Sequence, residues 1–291
     1  MQFIMTGHKG LIGNSILRKL IENGNNPLYL IDLRDNLQKI RDIRNINNLR
    51  LNQKADTLIH LAAFCKINQS ITNPDLPYQH NVLGTYKILE FCRKNDIPKI
   101  IFTSSSRVLS AEKNPYTASK IYGEELVKSY NESYGIDYVI IRPSTVYGPF
   151  NDLTKRLVDI FMLNILQGKE LEIYGDRNKT LDFTYIDDFA QGFLLAMDQK
   201  NKEFNIASGT ETKIEDVAKI LINLHRSGNF KFLPAEIAQP QNVKIDTSKI
   251  KSLGFKPKFD INGGLEICYK WYKENFNDIL ASRKNDLNPN L

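Results

Sequence analysis

Only three cysteines, Cys65, Cys92 and Cys268, and a single tryptophan occur among 291 residues. Three widely spaced thiols supply neither a disulfide framework nor the paired ligands of a zinc site. No metal centre is expected, and the thiols suit a reducing, cytoplasmic setting. The chain also lacks an apolar run of about eighteen residues, so no membrane span is expected. Met1-Gln2-Phe3-Ile4-Met5 leads straight into a glycine turn, without a basic stretch followed by an apolar one, and no secretory leader is expected. Lysine and arginine do not cluster with aromatic residues, which argues against a nucleic-acid partner. No internal repeat stands out. What remains is an ordinary globular composition, 42% hydrophobic and 25% charged, with a net charge of +6. That mild excess suits an anionic small substrate, and equally a solvated basic surface. The length allows one large domain or two that share a core.

The first half alternates short apolar runs with amphipathic ones. Gln2–Thr6 reads as a buried strand, followed by Gly7-His8-Lys9-Gly10-Leu11-Ile12-Gly13 and a helical run carrying Ile16, Leu17, Leu20 and Ile21. Gly24 marks the helix end, and a second strand runs to Asp32, nineteen residues after Gly13. A strand, a glycine turn, a helix, a strand and an acid form the pattern that binds a dinucleotide. The glycines let a pyrophosphate approach the backbone, the helix N-terminus offers it free N–H groups, and the acid accepts from a ribose. An acid also repels a 2′-phosphate, which favours NAD over NADP, although Lys9 and Arg34 lie close by in sequence. Further strands are expected at 56–63, 100–103 and 138–141, with a helix over 78–94. Alternation of this kind implies a parallel sheet covered on both faces.

Asn114-Pro115-Tyr116-Thr117-Ala118-Ser119-Lys120 contains a second constellation. Pro115 suits the first turn of a helix, and that helix would carry Tyr116 and Lys120 on one face. An ammonium beside a phenol favours phenolate and draws its pKa down from about 10. A phenolate within reach of a carbinol can take its proton as hydride leaves the same carbon.

Taken in order, TGHKGLIG, Asp32, RDI, HLAA, NVLGT, FTSSS, YTASK, RPSTVYGP, FTYIDD and LGFKP resemble the motifs of the extended short-chain dehydrogenase/reductases, in particular the NAD-dependent epimerases and dehydratases of nucleotide sugars. The resemblance implies an α/β fold, a Rossmann-type doubly wound parallel sheet with a smaller C-terminal α/β substrate lobe. Residues 1–148 would bind NAD, with 180–206 returning to that domain. Residues 149–179 and 207–275 would form the substrate lobe, and 276–291 a polar, loosely ordered tail. Gly7, Gly10 and Gly13, with the Leu11–Ile12 backbone, would hold the pyrophosphate, and Asp32 the adenosine ribose. Asp42 and Ile43 would lie beside the adenine, and Leu61, Ala62 and Ala63 along the cofactor. Ser105 would be the catalytic hydroxyl, with Ser104 and Ser106 as neighbours able to compete for the role. Tyr116 would be the acid/base, and Lys120 would bind the nicotinamide ribose and depress the tyrosine pKa. Asn81 would serve packing and a backbone anchor, and Asp187 and Asp188 helix capping and structure. A homodimer is implied, through the helices near 78–94 and 116–134.

Several residues depart from that pattern. Leu181 and Gln239 stand where relatives carry arginines that help bind the substrate's diphosphate or its nucleoside, and Thr145 where asparagine is common. Arg177, Lys179, Lys155 and Arg156 are the candidates to compensate. Only ten residues separate Ser105 from Tyr116, a shorter span than in typical members. Where dehydratases carry an Asp-Glu pair, this chain has Ser106 and Arg107. Arginine cannot serve as a general base, which argues against elimination. The expected activity is epimerisation of a nucleotide-activated sugar by transient oxidation of a hydroxyl. A reductase, dehydrogenase or dehydratase of the same family, and a non-catalytic NAD-binding protein, remain the alternatives.

Overall fold

A computed structural model describes residues 1–36, 38, 40–237 and 244–284. Its first half is built on strands β1 (Gln2–Thr6), β2 (Asn26–Ile31), β3 (Thr57–His60), β4 (Lys99–Thr103) and β5 (Asp137–Pro143). With β9 (Lys202–Ile206) they form a six-stranded sheet in the order β2-β1-β3-β4-β5-β9, every pair parallel. Phe3, Ile4, Met5, Leu58, Ile59, Ile100 and Ile140 are wholly enclosed because helices cover both faces. Those helices are α1 (Leu11–Glu22), α4 (Gly84–Lys94), α5 (Pro115–Tyr134) and α7 (Ile186–Met197); the short α2 (Ile67–Thr72) and α3 (Asp75–Pro77) pack on α5, and α6 (Leu157–Leu166) packs on β7. The strand order reverses between β1 and β3, and the chain leaves both at the same edge. That is the crevice where doubly wound sheets take ligands.

The later elements are β6 (Thr145–Tyr147), β7 (Leu171–Tyr174), β8 (Thr180–Tyr185), β10 (Glu211–Lys213) and β11 (Phe230–Leu233), with helices α8 (Ile214–His225), α9 (Ser248–Lys251), α10 (Ile261–Glu274) and α11 (Phe276–Lys284). Two small sheets, β10-β8-β6 and β11-β7, lie apart from the main one. The sequence places both 183–186 and 204–206 back in the main sheet, but only β9 joins it. β8 is flanked on both sides by β6 and β10, so its hydrogen-bonding edges are already taken.

A second correction concerns residues after Phe276. They are polar, yet α11 is docked: Ile279 is 3% exposed, and Arg283 Nη2 lies 2.6 Å from the buried Asp159 Oδ1. Tyr272 Oη donates to the same carboxylate oxygen at 2.7 Å, so two donors share one buried acceptor. A buried isoleucine, the Arg283–Asp159 pair and hydrogen bonds of Ser282 and Arg283 to Asn151 and Asp152 dock the helix where composition alone gives no periodic signal. Residues 285–291 lie outside the described residues.

Candidate active site

At the end of β1 the backbone turns at Gly7, whose φ of +76° belongs to the left-handed region. A Cβ on Gly7 would stand 2.6 Å from the Ala62 nitrogen, and one on Gly13 only 2.0 Å from the Gly7 carbonyl oxygen. The β1 turn, the first turn of α1 and the end of β3 therefore meet backbone to backbone. Gly10 caps α1 without a side-chain acceptor, which leaves the first-turn N–H groups of Leu11, Ile12 and Gly13 for an anion. Leu11 is buried and Ile12 packs against the core, so their side chains fix the turn while their backbone faces out.

Asp32 is almost fully buried beside this turn. Its Oδ2 accepts the Lys9 N–H at 2.9 Å, and its Oδ1 accepts the Arg34 N–H at 3.0 Å and Arg34 Nε at 3.4 Å. Acceptor capacity remains on Oδ2, as a ribose hydroxyl requires. Asp42 and Ile43 part company. Asp42 lines an open hollow of about 530 Å³ with Leu33 and Asn45, but its carboxylate is taken by Arg44, with Nη2 at 2.5 Å. Burial raises the Asp42 pKa, and the Arg44 hydrogen bonds outweigh it and hold the pKa below its usual value. Ile43 points away from the hollow into the core, against Gly84.

The wall after β3 rests on a buried relay absent from the sequence expectations. Thr6 Oγ1 lies 2.8 Å from His60 Nδ1, and His60 Nε2 lies 3.3 Å from Thr85 Oγ1. Burial, and then the charge of Lys120, push the His60 pKa down to about 3, so the ring is neutral. The same Thr6 hydroxyl accepts the Ala62 N–H at 3.2 Å, and Leu61 N–H bonds the Thr6 carbonyl at 3.2 Å, which fixes Leu61 and the small Ala62 and Ala63 beside the glycine turn. Asn81 has the anchoring role expected of it. It accepts from Phe64 N–H at 2.8 Å and donates to the Phe64 carbonyl at 2.9 Å and to Ser119 Oγ at 2.8 Å.

Helix α5 begins where the sequence places it. Asn114 Oδ1 accepts the Thr117 N–H at 2.9 Å, Pro115 occupies the first turn, and Gly135 ends the helix at φ 69°. Tyr116 and Lys120 are both buried on its inner face. Of the three serines after β4, Ser105 is the one that draws the Tyr116 pKa down, and its Oγ accepts the Arg107 N–H at 3.2 Å. Lys120 Nζ donates to the Thr103 carbonyl at 2.9 Å and lies 5.2 Å from the Phe102 ring centre.

The electrostatics differ from the sequence expectation. Burial pushes the Tyr116 pKa up to about 12, with Ser105, Arg107 and Arg156 drawing it down. Lys120 is not among the leading groups that lower it; its ammonium is directed to the Thr103 carbonyl and is itself brought down to about 8 by burial. In the ligand-free chain the phenol therefore carries its proton.

Cys65, which the sequence offers only as one of three free thiols, lies near Tyr116 and Lys120. Its charge bears on both Tyr116 and Lys120. Its position just past Ala63, at the edge where β3 ends, was the available signal. Among the candidate cations, Arg156 is paired with Asp152 at 2.6 Å and Arg177 lies over the Phe232 ring at 4.7 Å. Burial, and then the charge of Arg107, hold the Lys179 pKa below its ordinary value. Gln239 lies outside the described residues. Asp188 accepts the N–H groups of Lys258 at 2.8 Å and Phe259 at 3.0 Å, so it ties α7 to the α10 approach. Asp187 lies at the surface, 4.0 Å from Arg18. Neither acid caps α7, whose cap residue is Tyr185.

Comparison with known proteins gives a consistent assignment. The sequence profile of the NAD dependent epimerase/dehydratase family matches residues 3–207. A protein of Methanocaldococcus jannaschii, whose name carries UDP-glucose 4-epimerase as a provisional assignment, is 34% identical over 94% of this chain and 98% of its own length. The dTDP-glucose 4,6-dehydratase of Salmonella typhimurium is 24% identical over 94% of this chain and 93% of its own. The solved UDP-glucose 4-epimerase of Thermotoga maritima, with UDP-glucose, superposes with a TM-score of 0.84 at 25% identity, covering 95% of this chain and all (100%) of that one. The glycine turn, which has no room for side chains, and the buried Asp32 fit the cofactor that the family carries. The chain is an enzyme of the NAD-dependent epimerase/dehydratase family, with NAD as its cofactor.

Proposed function

We propose that this protein is an epimerase that inverts one carbinol, C4 by preference, of a nucleotide-activated sugar. The observation that carries this is the meeting of Ser105, Tyr116 and Lys120 at the open edge of β4, with Arg107 where an elimination would need an acid. Gly7, Gly10 and Gly13, with the first turn of α1, would hold the NAD pyrophosphate, and Asp32 its adenosine ribose. The chemistry NAD supplies when bound is reversible hydride acceptance. Ser105 Oγ orients the carbinol oxygen. Tyr116 Oη takes its proton during oxidation and returns it during reduction. The protonated phenol is already the acid required for the second half. As the base it needs nearby positive charge, which Arg107 and Arg156 contribute. Lys120 Nζ lies one helical turn from Tyr116, where it can take a ribose hydroxyl of the cofactor in place of the Thr103 carbonyl.

The test is to load wild type and Tyr116→Phe with NAD and follow C4 epimer pairs, beginning with UDP-glucose and UDP-galactose, by NMR. The variant should be slower by about 10²–10⁴-fold with NAD affinity unchanged. Equal rates would remove Tyr116 from the chemistry. Net accumulation of NADH would instead assign a dehydrogenase, and a 4-keto-6-deoxy product a dehydratase. NAD binding without turnover of any pair would support a non-catalytic role.

Two further assignments accompany this one. The half built on the main sheet, including α7 and β9, binds the cofactor, and the small sheets with α8 and α10 face the substrate. A second copy packs on α4 and α5, where Tyr86, Tyr122 and Tyr134 stay exposed. Sedimentation of wild type and Tyr122→Glu would check the dimer. Among the described residues no helix is long and apolar enough to cross a membrane, and the free thiols suit a cytoplasmic site.

A further inference from the structure

Two serine hydroxyls hold the backbone of Tyr116, one on each side of its Cα. The first N–H groups of a helix have no partner along their own chain. At the start of α5, Pro115 has none to place, Asn114 Oδ1 takes that of Thr117, and Ala118 N–H reaches the Asn114 carbonyl at 2.9 Å. The Tyr116 N–H remains, and it is met from outside the helix. Ser70 Oγ, on α2 and forty-six residues earlier, accepts it at 3.3 Å. Ser70 is wholly buried, and its own proton goes to the Ile67 carbonyl at 2.6 Å, so towards Tyr116 it can only accept. The Tyr116 carbonyl is held as well. Ser119 Oγ donates to it at 2.7 Å and accepts from Asn81 Nδ2 at 2.8 Å.

These bonds lead from the cofactor wall to the tyrosine. Asn81 is tied by both ends of its amide to Phe64, which follows Ala62 and Ala63. It lies in a π-helical stretch, Tyr78–Leu83, a rare form that is frequent at functional sites. Phe64, Asn81, Ser119 and Tyr116 thus form one buried chain from the end of β3 to the phenol. Tyr116 stands in the first turn of its helix, where helical bonds constrain the backbone least. A small tilt there is magnified at the phenol oxygen, at the far end of a long rigid side chain. Proton and hydride leave one carbinol together, so that oxygen must keep its place relative to both substrate and cofactor. We propose that Ser70 is a positioning residue for the reaction. With Ser119 as its counterpart on the carbonyl side, it locks the Tyr116 backbone in register with the wall along which the cofactor lies. This rests on Tyr116 being the acid/base of the epimerase reading.

The experiment is steady-state interconversion by the NAD-loaded enzyme of a C4 pair, UDP-glucose and UDP-galactose first, with Ser70→Ala, Ser70→Thr and Ser70→Val. Threonine and valine add nearly the same bulk at the buried site, and only threonine keeps an acceptor. kcat should fall about ten- to a hundredfold in Ser70→Ala and Ser70→Val, with KM and NAD affinity unchanged, and Ser70→Thr should recover most of the loss. Ser119→Ala should repeat the fall from the carbonyl side. Added to Tyr116→Phe, Ser70→Ala should slow the residual rate no further, because a residue that acts through the phenol has nothing left to position. Thermal melts show that each variant is folded at the assay temperature, and Ser119→Ala carries the test if the Ser70 variants are not. Equal kcat in the Ser70→Thr and Ser70→Val proteins, a loss that persists in full beside Tyr116→Phe, or a rise in KM in place of the fall in kcat would overturn the assignment. A slow Tyr116→Phe beside an unaffected Ser70→Ala removes this inference alone. Equal rates in wild type and Tyr116→Phe, or no turnover of any C4 pair, remove the epimerase reading and this inference with it.

Discussion

The cofactor wall and the substrate cleft share one sheet edge, yet they treat buried polar groups in opposite ways. On the cofactor side nearly every such group has a partner. Asp32 is held by Lys9 and Arg34, the Thr6–His60–Thr85 relay is closed, and Asn81 uses both ends of its amide, with His8 Nδ1 and Ser15 Oγ left over among the described residues. On the substrate side the hydroxyls of Thr103 and Ser104 have no partner among the described residues, and Lys120 rests on a lone carbonyl. Unpaired groups of this kind weaken a fold, and in a cleft they are the groups available to a ligand. One region is complete as folded; the other is complete only when occupied.

That contrast makes opposite predictions for mutation, and the largest effect belongs to the completed side. Gly13→Ala forces a methyl to 2.0 Å from the Gly7 carbonyl oxygen, and backbone on both sides leaves it nowhere to go. A loss of about 3 kcal/mol in stability is expected, together with loss of measurable NAD binding. Calorimetry and an NAD titration check it. A variant that melts like the wild type and still binds NAD would show that the turn is looser than its packing indicates.

The second prediction tests a buried charge that two donors hold through one of its oxygens. Arg283→Ala removes one of two donors from buried Asp159 and should lower stability by about 2 kcal/mol at neutral pH. The Asp159 pKa is raised by burial, with Arg283 and Tyr272 opposing the rise. The sign follows. A carboxyl whose folded pKa lies above its unfolded value is easiest to bury when protonated, so its strain is absent at low pH and grows as pH rises through the folded pKa. Without Arg283 that pKa climbs further. The gap between variant and wild type should therefore be small near pH 4 and open towards pH 7. A gap independent of pH would assign the effect to lost packing of α11.

The same contrast explains what could be read from the sequence. The glycine turn, Asp32 and the capped start of α5 are local, so residues a few positions apart specify them. β9 was placed in its sheet, but β8 was not, because a short apolar strand does not name its neighbour and the β6–β8 pairing spans about forty residues of intervening chain. α11 was missed because its anchor is a partner, Asp159, distant in sequence. The pKa of Tyr116 was misjudged for a related reason. Spacing on a helix sets which residues share a face, but Lys120 is drawn to Thr103, a residue of β4, and burial then decides the sign.

The smallest effect, and the sharpest for the comparison, is that removing an uncompleted charge should stabilise the ligand-free chain. Lys120 is 4% exposed, and burial brings its pKa down to about 8 although Cys65 and Glu124 pull the other way. A lysine with a folded pKa below its unfolded value, about 10.4, is under strain while protonated. That strain is fully present below pH 8 and is relieved as pH rises from there towards the unfolded value, because only the unfolded chain then holds the proton. Lys120→Met deletes the charge but strands the Thr103 carbonyl, which offsets part of the gain. A net stabilisation of about 1 kcal/mol at pH 7 is expected. It should fade between pH 8 and pH 10 as the wild type recovers, while turnover is lost throughout. Melting curves of the two ligand-free proteins across that range check it. If Lys120→Met instead lowers stability at pH 7, the Thr103 hydrogen bond outweighs the burial of the charge, and the cleft is completed by its own residues as the cofactor wall is.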